Sequence, residues 1–370
     1  MAFLNRDTTM DGTRPSYLPV VNSGQPRCLF PLESWSFPSK KTHPMSLQSL
    51  NYWEGLKPFD PEQGTVVVKP LGEGEGYWVG ACSVVFDPSD QTYYLYYRAR
   101  EPRPIRGGKC FVAQSKDGIQ FETIWKTTKD ELNTDSIEKA SLFKTKDGRW
   151  RMYLSYVDPA DQRWRVDLLE ADHPSKFDIN QRTPILTAEQ TQCEGVKDPY
   201  VMEVDGKTYM FLSYAPGNTS ASDEDRQAMH ATSDIYNTGL SKSSSALAVS
   251  DDGVNFEWLG DVFAPRESGW DCHAARLGSV QVLPPVYVGF YDGGPSHTEN
   301  YEEKTGLAIS LDLKQWHRIT PDGPYLTSPH ASGSLRYLHP LQLENELRYY
   351  YEYARPDGAH EIRMIRFPNQ

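Results

Sequence analysis

The sequence predicts an all-β fold, a five-bladed β-propeller with four-stranded antiparallel blades, and three observations support it. A hairpin at residues 193–214 has Asp205-Gly206 between two runs of β-branched and aromatic residues, which is a strong signal for a two-residue turn. The hairpin then recurs along the chain. A second signature follows the hairpins, as SKDGIQFE at 115–122, SDDGVNFEW at 250–258 and SLDLKQWHR at 310–318. Repeated hairpins at the period of a four-stranded blade indicate a propeller.

The hairpin copies define the blades. Aligning DGKTYMFLSY at 205–214 on DGRWRMYLSY at 147–156 superposes Asp198 on Ala140. Aligning its Thr208 on Thr92, the first residue of TYYLYY at 92–97, superposes Asp198 on Cys82. Weaker copies at 286–293 and 346–354 place Arg276 and Leu338 at the same position. We therefore expect blades at about 65–130, 131–187, 188–262, 263–323 and 324–367.

Residues 1–64 are predicted to be an irregular N-terminal segment that closes the last blade, ahead of the propeller domain at 65–370. Prolines interrupt this segment repeatedly. A ring needs a closing strand, because an open edge leaves backbone N–H and C=O groups unpaired. The candidate closing strands are residues 17–21 and 28–30.

The third blade carries an insertion at 216–243, with a short helix predicted at 223–231. Its Gly, Asn, Ser and Asp content indicates a mobile flap over the mouth of the ring. A solvated decoration or a contact between subunits is nearly as well supported.

Charge and composition exclude several function classes. The formal net charge of −12 argues against nucleic acid and anionic membranes as partners, and no apolar run reaches the length of a membrane span. Five scattered cysteines fit neither a zinc site nor a disulfide framework, and they favour a reducing compartment. The N-terminus lacks a secretory signal, so we expect a cytoplasmic protein or an already trimmed secreted one. No metal or cofactor is predicted, and a homo-oligomer stays open.

The first strands of a propeller start at one mouth of the central channel, so residues near their starts converge in space. Those positions are unusually rich in charge: Trp78, Gly80, Cys82, Asp135, Glu138, Lys139, Glu194, Lys197, Asp198, Asp271, His273, Arg276, Ser334 and Arg336. Burying so many charges is costly without a function. Neighbouring carboxylates and cations also separate one another's pKa values, as general acid/base chemistry requires.

The predicted catalytic residues are Asp198, Glu138, Asp271 and His273. The predicted substrate-binding residues are Trp78, Arg98, Lys139, Glu194, Lys197, Arg276 and Arg336. Structural roles remain open for several of them: Asp198 before proline can cap a turn, Glu138 can pair with a lysine, and Trp78 or His273 can be core residues.

KDPYV at 197–201 and LYYRAR at 95–100 resemble the five-bladed glycoside hydrolases and phosphorylases of families 32, 43, 62, 68 and 117, and more closely family 130. The resemblance to family 130 implies that Asp198, in GVKDP at 195–199, is the general acid. Under families 43 and 32 the same aspartate instead orients the substrate. This chain has Ala81-Cys82-Ser83 where families 32 and 43 carry a catalytic aspartate, so no base is carried over to the first blade.

The leading hypothesis is a glycosidase with Asp198 paired with Glu138 or Asp271 across the scissile bond. The second is a phosphorylase like those of family 130, with the converging cations binding inorganic phosphate. The third is a propeller that binds carbohydrate without catalysis.

Overall fold

The computed structural model describes residues 56–217, 220–299 and 301–368. Within them, twenty strands form five groups of four antiparallel neighbours. Group one is β2 (Trp78–Asp87), β3 (Thr92–Glu101), β4 (Arg106–Ser115) and β5 (Glu122–Thr128), and group two is β6 (Ile137–Lys144), β7 (Trp150–Val157), β8 (Trp164–Ala171) and β9 (Thr183–Leu186). Group three is β10 (Gly195–Val204), β11 (Lys207–Ala215), β12 (Ser244–Ser250) and β13 (Glu257–Phe263).

Group four is β14 (Ala274–Leu283), β15 (Val286–Gly294), β16 (Lys304–Ser310) and β17 (His317–Arg318). Group five is β18 (Leu335–Gln342), β19 (Glu346–Ala354), β20 (His360–Pro368) and β1 (Thr65–Val68). Single parallel pairings, Lys304 with Leu335 and Trp78 with His360, join groups four, five and one into one twelve-stranded sheet.

The strand that completes group five is β1, which pairs antiparallel with β20. It lies at the start of the range that the sequence analysis gave to the first blade. The two candidate closing strands at 17–21 and 28–30 lie outside the described residues.

The first strands of the groups contact one another in a closed cycle, from β2 to β6, β10, β14, β18 and back to β2. The hydrophobic core follows the same cycle, because each major apolar cluster packs between consecutive groups. Tyr96 and Leu154 belong to the cluster between groups one and two, for example, and Val84 and Ile362 to the one between groups one and five.

The local turn predictions are confirmed. Val204 pairs with Lys207 across Asp205 (φ 51°) and Gly206 (φ 79°), the positive-φ pair of a two-residue hairpin turn. The recurring signature is also a turn before an outer strand. Its aspartates, Asp117, Asp252 and Asp312, each accept two backbone N–H bonds at 2.8–2.9 Å.

Helices are short and lie in the connections: α1 (Lys129–Leu132), α2 (Ala188–Thr191), α3 (Asp223–His230) and 3₁₀ turns at Pro61–Gln63, Pro174–Lys176, Ile179–Gln181, Ile235–Thr238 and His297–Glu299. The helix predicted at 223–231 is α3. None of the helices in the described ranges has the length and apolar character needed to cross a membrane.

Candidate active site

All five first strands carry a register shift at the same level. The shifts fall between residues 80 and 83, 137 and 140, 197 and 200, 277 and 279, and 336 and 339. Ala81, Asp198 and Tyr337 have φ of 55°, 55° and 52° within these bulges. Left-handed backbone costs about 1–2 kcal/mol for an ordinary residue, and such strain concentrates at functional sites. The five bulges therefore mark one specialised level of the fold.

The bulge register corrects the alignment made from the hairpins. Asp198 lies two residues before the first paired residue after its bulge. The residues at the same distance in groups two, one and five are Glu138, Ala81 and Tyr337. The hairpin alignment gave Ala140, Cys82 and Leu338 instead. The alignment slipped because the hairpin loops differ in length, with residues 88–91 and 145–149 in groups one and two against Asp205-Gly206 in group three.

Asp198 lies inside β10, within its bulge, rather than at the strand's start. Pro199 follows it in the bulge, where a missing N–H is tolerated. The second strands supply acceptors for the bulge N–H groups: Asp198 donates to Ser155 Oγ at 3.1 Å, Tyr337 to Asp292 Oδ1 at 3.1 Å and Ala81 to Glu352 Oε2 at 3.2 Å.

None of these three acceptors was predicted, although a signal for two of them exists. Four of the five second strands have a buried polar residue two positions beyond the residue that pairs just after the bulge: Arg98, Ser213, Asp292 and Glu352. Ser155 lies only one position beyond that residue, so this pattern does not identify it. A buried polar residue that recurs at one register position in otherwise apolar strands would have identified Asp292 and Glu352.

The carboxylate of Asp198 is buried but lightly held. It accepts from the Lys139 backbone N–H at 3.2 Å and the Tyr337 hydroxyl at 3.3 Å. Burial, with the Asp198 charge beside it, holds the pKa of Tyr337 well above its ordinary value, so this phenol stays a donor. Arg98, Lys197 and Arg276 all interact electrostatically with Asp198.

Glu138 forms the second buried acid of the cluster. Its Oε2 lies 2.7 Å from Arg98 and 3.2 Å from Lys197, and Ser136 donates to its Oε1 at 2.9 Å. Burial works to raise the pKa of Glu138, but the charges of Lys197 and Arg98 outweigh it, so the pKa lies well below its ordinary value. Glu138 is therefore ionised.

Two further acids hold the other predicted cations. Glu303 contacts Arg276 and Arg336 at 2.8 Å each, and Glu352 contacts Arg336 at 2.7 Å and His360 at 2.7 Å. Against burial, the arginine charges keep the pKa of Glu303 well below its ordinary value. Against burial as well, Arg336 and His360 lower the pKa of Glu352 to about 2.

The pKa of Asp292 moves the other way. Burial first, and then the negative charge of Glu303, raises it to about 8, although Arg336 opposes the change. One carboxylic acid of the cluster is therefore neutral near pH 7, beside others that are ionised.

Both predicted lysines are fully enclosed. Lys139 donates to the Pro199 carbonyl at 2.8 Å, and burial lowers its pKa to about 8. Lys197 lies 4.0 Å above the Trp164 ring and within 5.4 Å of the rings of Tyr236 and Tyr301. Burial lowers the pKa of Lys197 too.

A cleft of about 410 Å³ opens beside this cluster. Trp78, Arg100 and Tyr301 line it together with Asn237 and His297. Trp78 stacks on His360 with ring centroids 4.7 Å apart, and Arg336 lies 5.4 Å from its ring. One face of the Trp78 ring is thus packed, and the rest of the side chain borders the cleft.

Asp271 lies apart from the cluster that the sequence predicted it to join. Arg266 and Arg318 lie 2.6 and 2.7 Å from its two oxygens, and Tyr291 donates to it at 3.0 Å. Arg318 is on β17, the outermost strand of group four. The site around Asp271 is a buried ion-pair network at the outer edge of that group.

Glu194 also has a different environment from the one expected. Its oxygens lie 3.0 Å from Arg226 and 2.7 Å from His230, so it anchors α3 of the insertion. Asp135 accepts from Ser233 of the same insertion.

Residues 234–236 of the insertion pack against the rest of the fold. Ile235 and Tyr236 are fully buried, and Asp234 pairs with Arg103 at 2.8 Å and accepts from the Tyr301 hydroxyl. Asn237 then lines the cleft. Residues 235–238 are therefore packed against the fold and border the cleft through Asn237, and the mobility that the composition of the insertion suggested stays a prediction.

His273 is buried at the edge of the cluster, 6.2 Å from His297 between ring centroids. Its Nε2 has no hydrogen-bond partner among the described residues. Burial, followed by the charges of Arg276 and His297, lowers its pKa to about 4, so His273 is neutral. No group of three or more His, Cys, Asp or Glu within the described ranges is placed to hold a metal ion.

Solved structures share this fold. A glycosyl hydrolase from Bacteroides ovatus aligns with a TM-score of 0.57 at 14% identity, over 83% of this chain and 93% of its own. A β-1,2-mannobiose phosphorylase from Listeria innocua in complex with β-1,2-mannobiose aligns with a TM-score of 0.55 at 16% identity, over 83% and 95%.

A third structure comes from the GH130 family of mannoside phosphorylases, which contains glycoside hydrolases that target β-1,2 mannosidic linkages in Candida mannan. Its TM-score is 0.54 at 14% identity, over 84% of this chain and 96% of its own. No family model and no curated protein sequence matches the chain. The fold is thus shared with carbohydrate-active enzymes of this type.

Proposed function

We propose that the protein is a glycoside hydrolase that acts on an oligosaccharide or small glycoside, with its active site at the central bulges of a five-bladed β-propeller. The closed cycle of first strands, with an apolar cluster between each pair of consecutive groups, supports the propeller. The shared fold with glycosyl hydrolases and phosphorylases supports carbohydrate chemistry.

The observation that carries the proposal is the pairing of Asp198 and Glu138. They occupy corresponding bulge positions on neighbouring strands, and both interact with Arg98 and Lys197. Two carboxyl groups with different environments at one site are what glycosidic hydrolysis needs.

The environments suggest a role for each acid. Asp198 has few partners and a phenol beside it, so it is placed to protonate the leaving oxygen. Glu138 is held ionised by Arg98 and Lys197, so it is the group that activates water or stabilises positive charge on the sugar ring.

Hydrolysis is favoured over phosphorolysis by the pairing of the cations. Arg98, Lys197, Arg276 and Arg336 each lie within 3.2 Å of a buried carboxylate. Inorganic phosphate would have to compete with Glu138 and Glu303 for the same donors, at a cost in electrostatic repulsion.

The proposal is tested by replacing Asp198 with Asn and assaying a panel of chromogenic glycosides and natural oligosaccharides, with and without phosphate. Asn accepts the positive φ of this position and keeps an acceptor for the Lys139 N–H. We expect a loss of turnover of about 10²–10⁴-fold, the usual worth of a general acid. Asp205→Asn makes the same change at a positive φ in the exposed turn of the same hairpin, and it should retain full activity.

Near-normal turnover by Asp198→Asn contradicts the assignment. A sugar phosphate product that requires phosphate replaces hydrolysis with phosphorolysis at the same site. Ligand binding by the wild-type protein without turnover on any glycan indicates a carbohydrate-binding protein.

A further inference from the structure

Arg100 is the feature of the cleft that the hydrolytic mechanism leaves unexplained. Its guanidinium lies between two aromatic rings, 4.3 Å from the centroid of Tyr301 and 5.2 Å from that of Trp78. The residue is 6% exposed, and the cleft is the space that it lines. Within residues 56–217, 220–299 and 301–368 its side chain makes no hydrogen bond and no ion pair.

This sets Arg100 apart from the four buried cations beside Glu138, Glu303 and Glu352, and from Lys139, which donates to the Pro199 carbonyl. Arg98, Lys197, Arg276 and Arg336 all pair with carboxylates, as described above. Removing a guanidinium from water without an anion is costly. Cation–π contacts return only about 0.5–2 kcal/mol each, so the rings hold the group in place without neutralising it.

Arg98 adds spare hydrogen-bonding capacity next to Arg100. The two residues are separated by one position on β3 and therefore point to the same face of the sheet. Their charges interact. Arg98 uses Nη1 for Glu138, whereas its buried Nη2 has no partner among the described residues. Two adjacent guanidinium groups thus have unused donors near the proposed catalytic acids.

The carboxylates that line the cleft do not satisfy this charge. Glu101 pairs with Lys109 at 3.0 Å, and Glu75 is exposed. Two buried carboxylates outside the lining, Glu138 and Asp234, interact with the charge of Arg100 but form their ion pairs with other cations, among them Arg98 and Arg103. The cleft volume of about 410 Å³ is within the range of small-ligand sites. The fixed donors of a guanidinium match the two oxygens of a carboxylate or another oxyanion, and sugar hydroxyls cannot replace that charge.

We propose that Arg100 binds the carboxylate of an acidic sugar, so that the substrate carries a uronic acid residue at this cleft. The inference rests on the proposed glycoside hydrolase function and names its substrate class. The same donors would also accept inorganic phosphate, and the experiment separates the two sources.

The test is calorimetric binding to the Asp198→Asn protein, which does not depend on turnover. The ligands are glucuronate, galacturonate and mannuronate, each with its neutral parent sugar, and inorganic phosphate. We expect at least one uronate to bind about tenfold or more tightly than its parent, the worth of a charge-assisted hydrogen bond. Arg100→Met, which keeps an apolar chain between the rings, should remove that preference.

Two controls keep the result interpretable. Arg363→Met makes the same change at another arginine stacked on an aromatic ring, 4.0 Å from Tyr353, and should leave the preference intact. Arg100→Lys keeps the charge but loses the planar fork, so it should retain only part of the preference and reports on the site if Arg100→Met folds poorly.

Equal binding of every uronate and its parent overturns the inference, and so does a preference that survives in Arg100→Met. Phosphate binding that depends on Arg100, without uronate binding, assigns the site to phosphate instead. Turnover of neutral glycosides by the wild-type protein without a uronate preference leaves the proposed hydrolase standing and removes Arg100's role. Uronate binding by the wild-type protein without turnover of any glycan supports the role of Arg100 and contradicts the proposed hydrolase.

Discussion

Asp198 and Asp271 are both buried aspartates beside arginines, yet the two regions around them differ in how completely the carboxylate is satisfied. Asp271, at the outer edge of group four, is held by Arg266, Arg318 and the Tyr291 hydroxyl. Asp198 lies at the central bulges in a strained backbone position, and among the residues that the structure describes it accepts one backbone N–H and one phenol. A saturated carboxylate stabilises the fold, whereas one with unused acceptor capacity is free to act on a ligand.

The largest effects are expected from exchanging each of these two aspartates for Asn. Asp271→Asn removes the negative charge between two arginines and should cost about 3 kcal/mol in unfolding free energy, the low end for a broken buried pair, because Arg266 and Arg318 are 29% and 18% exposed. Asp198→Asn should change stability by less than about 1 kcal/mol while lowering turnover by about 10²–10⁴-fold. Urea unfolding and glycoside assays on both variants check the contrast.

The opposite results for Asp271→Asn and Asp198→Asn would contradict this comparison. An Asp271→Asn protein that keeps its stability but loses activity would place the catalytic acid at the outer edge. An Asp198→Asn protein that unfolds easily would give that residue a structural role.

The pH dependence of stability tests whether Asp292 differs in protonation from the other acids of the central cluster. The pKa of Asp292 is about 8 in the folded protein, against about 3.9 for an unfolded aspartate. The folded state therefore binds more protons between these values, so the stabilisation from the neutral acid is complete below about pH 4 and is lost as pH rises towards about 8. Asp292→Asn cannot ionise and should not show this loss.

The measurement is the difference in urea unfolding free energy between wild-type protein and Asp292→Asn from about pH 5 to about pH 9. We expect the wild-type protein to lose stability relative to the variant up to about pH 8 and to hold a constant difference above it. The lowered pKa of Lys139 affects both proteins and largely cancels. A difference that does not vary with pH would mean that Asp292 is ionised throughout.

The sequence predicted local features of both regions better than their partners. The Asp205-Gly206 turn, the recurring Asp turn, α3 and the central place of Asp198 depend on residues close together in the chain, so short patterns revealed them. Glu303, which joins Arg276 to Arg336, lies in no hairpin motif and could not be paired from the sequence.

The same limit applies to the surroundings of Asp271 and Glu194. Each precedes a first strand, whereas Asp198 and Glu138 lie inside theirs, and only the structure brings Arg318 to Asp271 and Arg226 to Glu194. The bulges add a second limit. A shift of one or two residues in a strand changes which side chain faces the centre, and the unequal hairpin loops concealed that shift.

Gly80 and Gly206 offer a smaller version of the comparison between centre and periphery. A Cβ at Gly80 would lie 1.6 Å from Glu352 Oε2, a carboxylate fixed by Arg336 and His360. Gly80→Ala should therefore displace Glu352 and cost about 1–3 kcal/mol, as overpacking of a core does. The midpoint of urea unfolding measures it, and a cost below about 0.5 kcal/mol would show that Glu352 moves freely.

The smallest effect is expected at Gly206, in the exposed hairpin turn. An added Cβ meets no atom within 4 Å, so the only penalty comes from the backbone, where φ is 79°. A side chain in the left-handed region costs roughly 1–2 kcal/mol, part of which is offset because alanine has fewer unfolded conformations than glycine.

We expect Gly206→Ala to lose about 1 kcal/mol and to keep full glycosidase activity, since the turn lies at the far end of β10 from the bulge at Asp198. Urea unfolding and the glycoside assay on Gly206→Ala and Gly80→Ala together separate backbone strain at the periphery from crowding at the centre. Two outcomes would contradict this expectation: a larger stability loss for Gly206→Ala than for Gly80→Ala, or a loss of turnover by Gly206→Ala. Either would mean that the register of β10, and with it the bulge at Asp198, depends on the hairpin turn as well as on contacts at the central bulges.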